Sequence, residues 1–335
     1  MRGFGRLGVA PGSDDEPKGV QQMKEIDVVC LCRLYDLKAF LSDHMARDNP
    51  WLRLVTSDEV TDPAAIRHAI AFSPSAQDFD RYPNLKLVSC AGAGVDGLLQ
   101  NRALRNDIAI SRVIVPEQAQ AIAAFAIWHI VNWQRRLSDY AQQQQEGIWH
   151  PINRSPPTEF PVGILGYGAI GKTLADALVV LGYPVMAYAS RSRQDGAVNV
   201  VSGSDGLAAI ARDNLAVVNL LPLTTATRGI LSASVFTQMR TGSILIHLGR
   251  GDHLVEEDLT QALKRGRPER AALDVFSTEP LPKAHPFWRN NKVLITPHVA
   301  GDADYRDVAT FIAKGITEFE RGEDPEGLVN RTRGY

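Results

Sequence analysis

Three side chains able to do chemistry each follow a short apolar run in the second half of the chain. Arg250 follows SILIHL in HLGRGDHL, Glu279 follows ALDVF in STEPLP, and His298 follows VLIT in TPHVAG. If the runs are neighbouring parallel strands, all three residues stand at carboxyl ends, where α/β folds bind ligands. A guanidinium can hold a carboxylate or polarise a ketone. An imidazole can protonate a nascent alkoxide, and a carboxylate beside an imidazole favours its charged form and fixes its tautomer. Cation, acid and orienter are what hydride transfer to a 2-keto acid needs besides a cofactor. The expected catalytic set is therefore Arg250, Glu279 and His298.

A cofactor site is legible upstream. Gly166, Gly168 and Gly171 form G-x-G-x-x-G directly after the apolar run VGIL and at the start of a helical pattern. The first glycine permits a tight turn and the second a close approach to a pyrophosphate. The third lets helix and strand pack, and the helix N-terminus, with Ala169 and Ile170, offers unpaired amides to the anion. NAD-binding units place an acidic residue about 20 residues further on. Here Ser190, Arg191, Ser192 and Arg193 occupy that place, with no carboxylate before Asp195. Two guanidiniums and two hydroxyls suit a 2′-phosphate, so NADP(H) is expected over NAD(H). Leu221 and Pro222, in NLLPLTTATRGIL, are expected on the adenine side. Thr227 either adds a hydroxyl there or caps the following turn. Asp274, in ALDVF, completes the expected cofactor contacts.

The segment CAGAGVDGLL follows LKLVS, and the backbone amides of Ala93 and Gly94 are expected to face a substrate carboxylate. Asp96 reads as a helix cap. Cys30, Cys32 and Cys90 are too few for a disulfide framework. On a strand, Cys30 and Cys32 are expected to place one thiol on each side of the sheet. His44, His68, His129, His150, His253 and His285 show no metal-ligand spacing, so no metal is expected, and they are read as structural or exposed.

The elements that must position these groups come from an alternation of apolar runs and helical stretches. IDVVCLC, LRLV, AIAFS, LKLVSC and IAI read as buried parallel strands. Residues 37–48 and 63–68 read as covering helices, and a long helix is expected over 117–145. After a proline-rich loop, VGIL, PVMAYA, AVVNLL, SILIHL, ERAALDV and KVLITP read as a second set of strands, and residues 303–320 as a last amphipathic helix. The expected fold class is α/β with two doubly wound parallel sheets. A dinucleotide-binding unit of Rossmann type, 114–302, is inserted into a flavodoxin-like substrate unit, 23–113 and 303–335. Residues 1–22 read as a disordered extension.

Composition excludes other classes. The chain has 335 residues, 44% hydrophobic and 22% charged, with a net charge of −2. That is an ordinary globular balance with no electrostatic reason for nucleic acid or an anionic membrane as partner. The longest apolar stretch falls well short of the roughly 20 residues that span a bilayer, and a cytoplasmic location is expected.

Taken together and in order, GAGVD, GYGAIG, LLPLT, the RG of HLGRGDHL, LDVFSTEPLP and TPH resemble the D-isomer-specific 2-hydroxyacid dehydrogenases. The likeness runs from about residue 24 onward. It implies that Arg250 binds substrate, that Glu279 and His298 shuttle the proton, and that the Ala93 and Gly94 amides hold the carboxylate. It also implies a homodimer built around the long helix. The SRSR loop, the segment WQRRLSDYAQQQQEGIWHP and the short Glu-to-His interval look most like the glyoxylate/hydroxypyruvate reductase branch, in which Trp149 would approach the partner subunit's substrate. Two departures stand out. His247 replaces the family's usual asparagine, and Asp302 and Asp304 add carboxylates after His298. The expected activity is NADPH-dependent reduction of a small 2-keto acid. The alternatives are a dehydrogenase for bulkier 2-keto acids, or a cofactor-sensing co-repressor-like binding protein, which would usually lack the proton donor.

Overall fold

Short runs rich in Val, Ile and Leu, apolar on both faces, form parallel strands that helices cover on either side. In the computed structural model, which describes residues 25–153, 155–301, 303–332 and 334, two such sheets form. Residues 1–22 and Asp302 lie outside the described residues.

The first sheet contains β1 (Ile26–Cys32), β2 (Leu52–Val55), β3 (His68–Phe72), β4 (Leu87–Cys90) and β5 (Ala109–Arg112). Its order, β2-β1-β3-β4-β5, all parallel, is the flavodoxin-like one. Helix α1 (Leu37–Asp48) starts where Asp36 accepts the Ala39 amide at 3.0 Å, and α2 (Asp96–Gln100) follows β4. The expected helix over 63–68 is only a single 3-10 turn, Pro63–Ala65, capped by Asp62, and His68 already belongs to β3. The cysteine expectation is also corrected. Strand side chains alternate at every residue, so positions two apart share a face. Cys30 and Cys32 both pack toward α1, and Leu31 points the other way. Burial pushes the Cys30 thiol up to about 12, which leaves it inert near neutral pH.

The long helix is two helices, α3 (Pro116–Arg135) and α4 (Leu137–Glu146), broken at Arg136, which is left-handed with φ 56°. No glycine or proline marks the break. Contacts of Arg136 accompany it, two local and one long-range: an ion pair with Asp139, the Trp133 ring 4.8 Å away, and Glu269 at 3.6 Å.

The second sheet holds β6 (Val162–Leu165), β7 (Val185–Tyr188), β8 (Arg193–Asp195), β9 (Val198–Val201), β10 (Ala216–Asn219), β11 (Ile244–His247), β12 (Arg270–Leu273) and β13 (Val293–Ile295). Helices α5 (Ala169–Val180), α6 (Gly203–Asp213), α7 (Ala233–Phe236) and α8 (Glu256–Arg265) connect them. The order is β13-β12-β11-β10-β6-β7-β9-β8, parallel except for β8 against β9. That is a Rossmann-type sheet, whose order reverses between β6 and β10, opening a crevice at their carboxyl ends. The β8–β9 hairpin is not among the expected strands: β8 is three polar residues, RQD, and β9, VNVV, follows a turn made by Gly196 at φ 56°. Helix α3 lies against α5 over this sheet, with Ile122, Ala126 and Ile130 in its core. Helix α9 (Tyr305–Glu320) then returns to the first sheet, where Val308, Ile312 and Ile316 pack with Leu41 and Met45 of α1. Asp304 is its N-cap, accepting the Arg306 amide at 2.8 Å. Among the described residues no helix is long and apolar enough to cross a membrane.

Candidate active site

The glycine turn between β6 and α5 is shaped by steric need. Gly166 has φ 105°, and a Cβ there would lie 2.8 Å from the Leu220 carbonyl oxygen. At Gly171 a Cβ would lie 1.9 Å from the Gly166 carbonyl oxygen, so no other residue fits. Gly168 differs, because a Cβ there would meet nothing within 4 Å. Its side of the turn is open space at the N-terminus of α5, where no side chain caps the first amides of Ala169, Ile170 and Gly171. A tight turn, an open approach and uncapped amides are what a pyrophosphate requires. The residues fit a dinucleotide.

At the far edge of that crevice Ser190, Arg191, Ser192 and Arg193 are exposed. Arg193 opens β8 with its guanidinium 5.3 Å from the centre of the Tyr167 ring, the Tyr of the GYG turn. Ser192 and Ser202 hydroxyls meet at 2.7 Å. After β10, Pro222 is exposed, whereas Leu221 packs into the core under the sheet. Thr227 shapes the turn: its hydroxyl donates to the Pro222 carbonyl at 2.7 Å and accepts the Thr224 amide at 2.9 Å.

Arg250 follows β11 and reaches across to the first sheet. Its Nε donates to Asp96 Oδ1 at 2.9 Å and its Nη1 to the Gly249 carbonyl at 2.8 Å. The guanidinium lies directly on Gly94, where a Cβ would sit 1.3 Å from Nη2. Only a glycine lets the arginine lie there. The GAGVD loop is held from below through its carbonyls. Cys90 Sγ donates to Gly94 and Arg112 to Ala93, both at 3.3 Å. Asp96 is the first residue of α2 and makes no cap; its carboxylate is the partner of Arg250 instead.

Glu279 and His298 meet after β12 and β13. His298 Nδ1 is 2.8 Å from Glu279 Oε2, and Glu279 Oε1 accepts the Phe276 amide at 2.8 Å. Burial pushes the Glu279 carboxyl up, but the His298 and Phe276 hydrogen bonds and the His298 and Arg250 charges outweigh it. The group ends below the ordinary glutamate value. With Nδ1 engaged, Nε2 is the ring nitrogen left to a ligand, and the side chain is 45% exposed. His298 itself has φ 56°, the left-handed region, which costs of the order of 1 kcal/mol or more and tends to mark functional sites. Asp274, 2% exposed, holds that turn. Its Oδ1 accepts the Thr296 hydroxyl at 2.6 Å and the Val299 amide at 3.0 Å, and its Oδ2 accepts the Ala300 amide at 3.0 Å. In this geometry the Asp274 carboxylate serves the backbone around His298.

Sequence reasoning missed several residues beside the site. Tyr167 and the Asp96 pairing are two. Asn219 is another; His253, expected to be structural or exposed, is the former, fully buried. None carries a motif of its own; each is found through its partner in space. Trp149 stands apart, 98% exposed beyond α4. Among the described residues no group of three or more His, Cys, Asp or Glu could hold a metal ion.

Comparison with known proteins agrees with this architecture. The family model described as D-isomer specific 2-hydroxyacid dehydrogenase, NAD binding domain, matches residues 127–300. Glyoxylate/hydroxypyruvate reductase A of Serratia proteamaculans is 37% identical over 273 residues, covering 80% of this chain and 87% of that protein. Its counterpart in Citrobacter koseri is 36% identical over 257 residues, 75% of this chain and 82% of that one. Among solved structures, a D-isomer specific 2-hydroxyacid dehydrogenase from Xanthobacter autotrophicus Py2, in complex with NADPH and MES, superposes with a TM-score of 0.87 at 30% identity. It covers 93% of this chain and all of that one. The NADPH-dependent glyoxylate/hydroxypyruvate reductase of Sinorhizobium meliloti, in complex with NADP and sulfate, gives 0.86 at 27% identity, over 92% of this chain and all of that one. The chain belongs to the D-isomer specific 2-hydroxyacid dehydrogenase family, as an enzyme built on an NAD(P)-binding domain.

Proposed function

We propose that this enzyme reduces small 2-keto acids of the glyoxylate/hydroxypyruvate type to D-2-hydroxy acids and prefers NADPH to NADH. The observation that carries the proposal is the His298–Glu279 contact at 2.8 Å, in a site where the Arg250 charge also acts on Glu279. The dinucleotide would be held by Gly166, Gly168, Ala169, Ile170 and Gly171. The 190–193 loop would take the 2′-phosphate, and Pro222 would lie on the adenine side. When bound, a reduced nicotinamide supplies the hydride.

The chain's own residues supply the rest. Nε and one N–H of Nη1 of Arg250 are engaged by Asp96 and Gly249, so Nη2, over Gly94, is the guanidinium nitrogen with no acceptor among the described residues and would donate to a substrate carboxylate or ketone oxygen. The amides of Ala93 and Gly94 would share that carboxylate. His298 gives its Nε2 proton to the alkoxide oxygen as the C–O double bond becomes single, while Nδ1–H stays bonded to Glu279. The carboxylate stabilises the charged ring before transfer and fixes which nitrogen faces the substrate. The substrate class draws support from the two reductases that the chain resembles over three-quarters or more of its length. NADPH draws support from the absence of a carboxylate at 190–193 and from the two neighbours solved with NADPH or NADP.

A homodimer through the α3–α4 region is part of the proposal. Trp128, Leu137, Ile148 and Trp149 form an exposed apolar set there, and Trp149 would reach the partner's substrate. So is a reducing, cytoplasmic compartment, which suits three free cysteines. The test is a panel of 2-keto acids with NADPH and with NADH, followed by absorbance, with His298→Ala beside the wild type. Glyoxylate or hydroxypyruvate should turn over best with NADPH. His298→Ala should lose about 100-fold or more in kcat and still bind NADPH. Near-normal turnover in that variant would remove His298 as the acid.

A further inference from the structure

Beneath Arg250 lies a polar cluster that the chemistry above does not use. Asn219, His247 and His253 are each fully buried. Asn219 and His247 stand side by side at the carboxyl ends of β10 and β11, and His253 comes from the turn after Arg250. Polar side chains in a dry place need partners. Asn219 and His253 find them in backbone groups of the two loops that line the crevice, whereas His247 meets Asn219 through Nδ1 and has no hydrogen-bond partner at Nε2 among the described residues.

Backbone donors fix the proton positions. The Leu221 amide donates to Asn219 Oδ1 at 3.3 Å, so the Asn219 nitrogen faces the rings, 3.1 Å from His247 Nδ1 and 3.2 Å from His253 Nδ1. The Arg250 amide also donates to His253 Nδ1, at 3.0 Å. That nitrogen therefore carries no proton. The His253 proton sits on Nε2 and is donated to the Pro222 carbonyl at 3.2 Å. Burial keeps both rings neutral, pushing His247 down to about 3 and lowering His253 as well. Gly249 completes the fit, since a Cβ there would lie 2.8 Å from Asn219 Nδ2 and 2.9 Å from His253 Nδ1. The backbone that carries Arg250 passes directly over the amide–imidazole contact.

We propose that His253, held by Asn219, is the positioning residue for Arg250. In its Nε2–H tautomer the ring clamps the Arg250 backbone amide on one side and the Pro222 carbonyl on the other. The arginine loop and the loop beside the dinucleotide crevice then behave as one rigid unit. The inference rests on the reading of Arg250 as the substrate-holding cation. It adds a tie between the substrate side and the cofactor side of the site.

Two variants separate positioning from packing. His253→Leu fills similar space and removes both bonds. His253→Asn keeps an acceptor near the Nδ1 position for the Arg250 amide and loses the donor to Pro222. His253→Leu should lower kcat/KM for the keto acid by about 10- to 100-fold, the scale of a misplaced binding group. His253→Asn should restore the keto acid KM to within about threefold, while the KM for NADPH stays raised in both variants. A His253→Leu enzyme with wild-type constants overturns the proposal. So do losses in the two variants that simply follow their loss of thermal stability. If the leucine variant does not fold, the wild-type protein decides by ¹⁵N-histidine NMR at pH 7. An unprotonated Nδ1 and a protonated Nε2 on His253 are expected, and a protonated Nδ1 overturns the clamp. That measurement needs no turnover. A protein that reduces no 2-keto acid yet shows this tautomer would fail the functional proposal and leave the clamp standing.

Discussion

Replacing Gly94 by alanine adds one methyl group at the point where the two sheets' loops touch. Gly94 does not have a positive φ, so alanine strains no backbone there. The new Cβ would lie 1.3 Å from Arg250 Nη2 and 2.5 Å from Cζ, whereas ordinary contact begins at 3.4 Å. The guanidinium must therefore swing so that Nη2 retreats by about 2 Å, while Nε, the donor to Asp96, would lie 3.0 Å from the new Cβ and is pressed much less. Because the atom that moves ends a flexible side chain, the fold should hardly notice. A misplacement of about 1 Å in a binding group can cost about 100-fold. Gly94→Ala should thus lose at least about 100-fold in kcat/KM for the keto acid, about 2.7 kcal/mol of transition-state binding. The assay is steady-state reduction followed by NADPH absorbance, with a thermal melt and an NADPH titration on the same sample. The melt should stay within about 2 °C of wild type and NADPH affinity should be unchanged. Gly97→Ala is the internal control, three residues on, where a Cβ meets nothing within 4 Å. Wild-type kcat/KM in Gly94→Ala, or an equal loss in Gly97→Ala, would refute the assignment of Arg250 as the substrate-holding group.

Three further outcomes follow from the same geometry. The Glu279 carboxyl lies below the ordinary glutamate range, so its contribution is complete above that range and is lost as pH falls through the depressed value. The acid limb of the rate profile should accordingly fall below about pH 4.3, and Glu279→Gln should abolish that limb while lowering kcat; an unchanged acid limb in the variant would exclude Glu279 as its source. Replacing both Arg191 and Arg193 by alanine should cut kcat/KM with NADPH by about 10- to 100-fold, the worth of charge-assisted bonds to a phosphate, and barely alter NADH kinetics; equal losses with both cofactors would contradict a 2′-phosphate role. Asp274→Ala strips three donors around the His298 turn of their acceptor and should destabilise the protein by about 3 kcal/mol or more, read as a lower denaturant midpoint, and a midpoint equal to wild type would show that those donors find other partners.

Much of the architecture was legible because its causes are local. Apolar runs of three to seven residues separated by helical patterns produced eleven of the parallel strands, and the glycine spacing announced the turn before α5. Strand ends placed Arg250, Glu279 and His298 on one side of one sheet. Where local patterning was weak, the reading failed. The β8–β9 hairpin was missed: β8 is three polar residues, and β9, VNVV, alternates over only four. Arg136 broke the long helix with no glycine or proline to mark it, in company with Asp139, Glu269 and Trp133.

The sequence by itself determined most of the parallel strands, where the dinucleotide turn lies and which side chains stand at the strand tips. Periodicity, steric tolerance of glycine and strand alternation act over a few residues and can be read in order. Only the tertiary structure decided that Arg250 lies on Gly94 and pairs with Asp96, 154 positions away. The same holds for Asp274, which serves the His298 turn, and for Asn219 and His253, which meet beneath the arginine. Those contacts depend on how two sheets face each other and how loops cross between them. Spacing along the chain does not encode that orientation; the packing of both cores does.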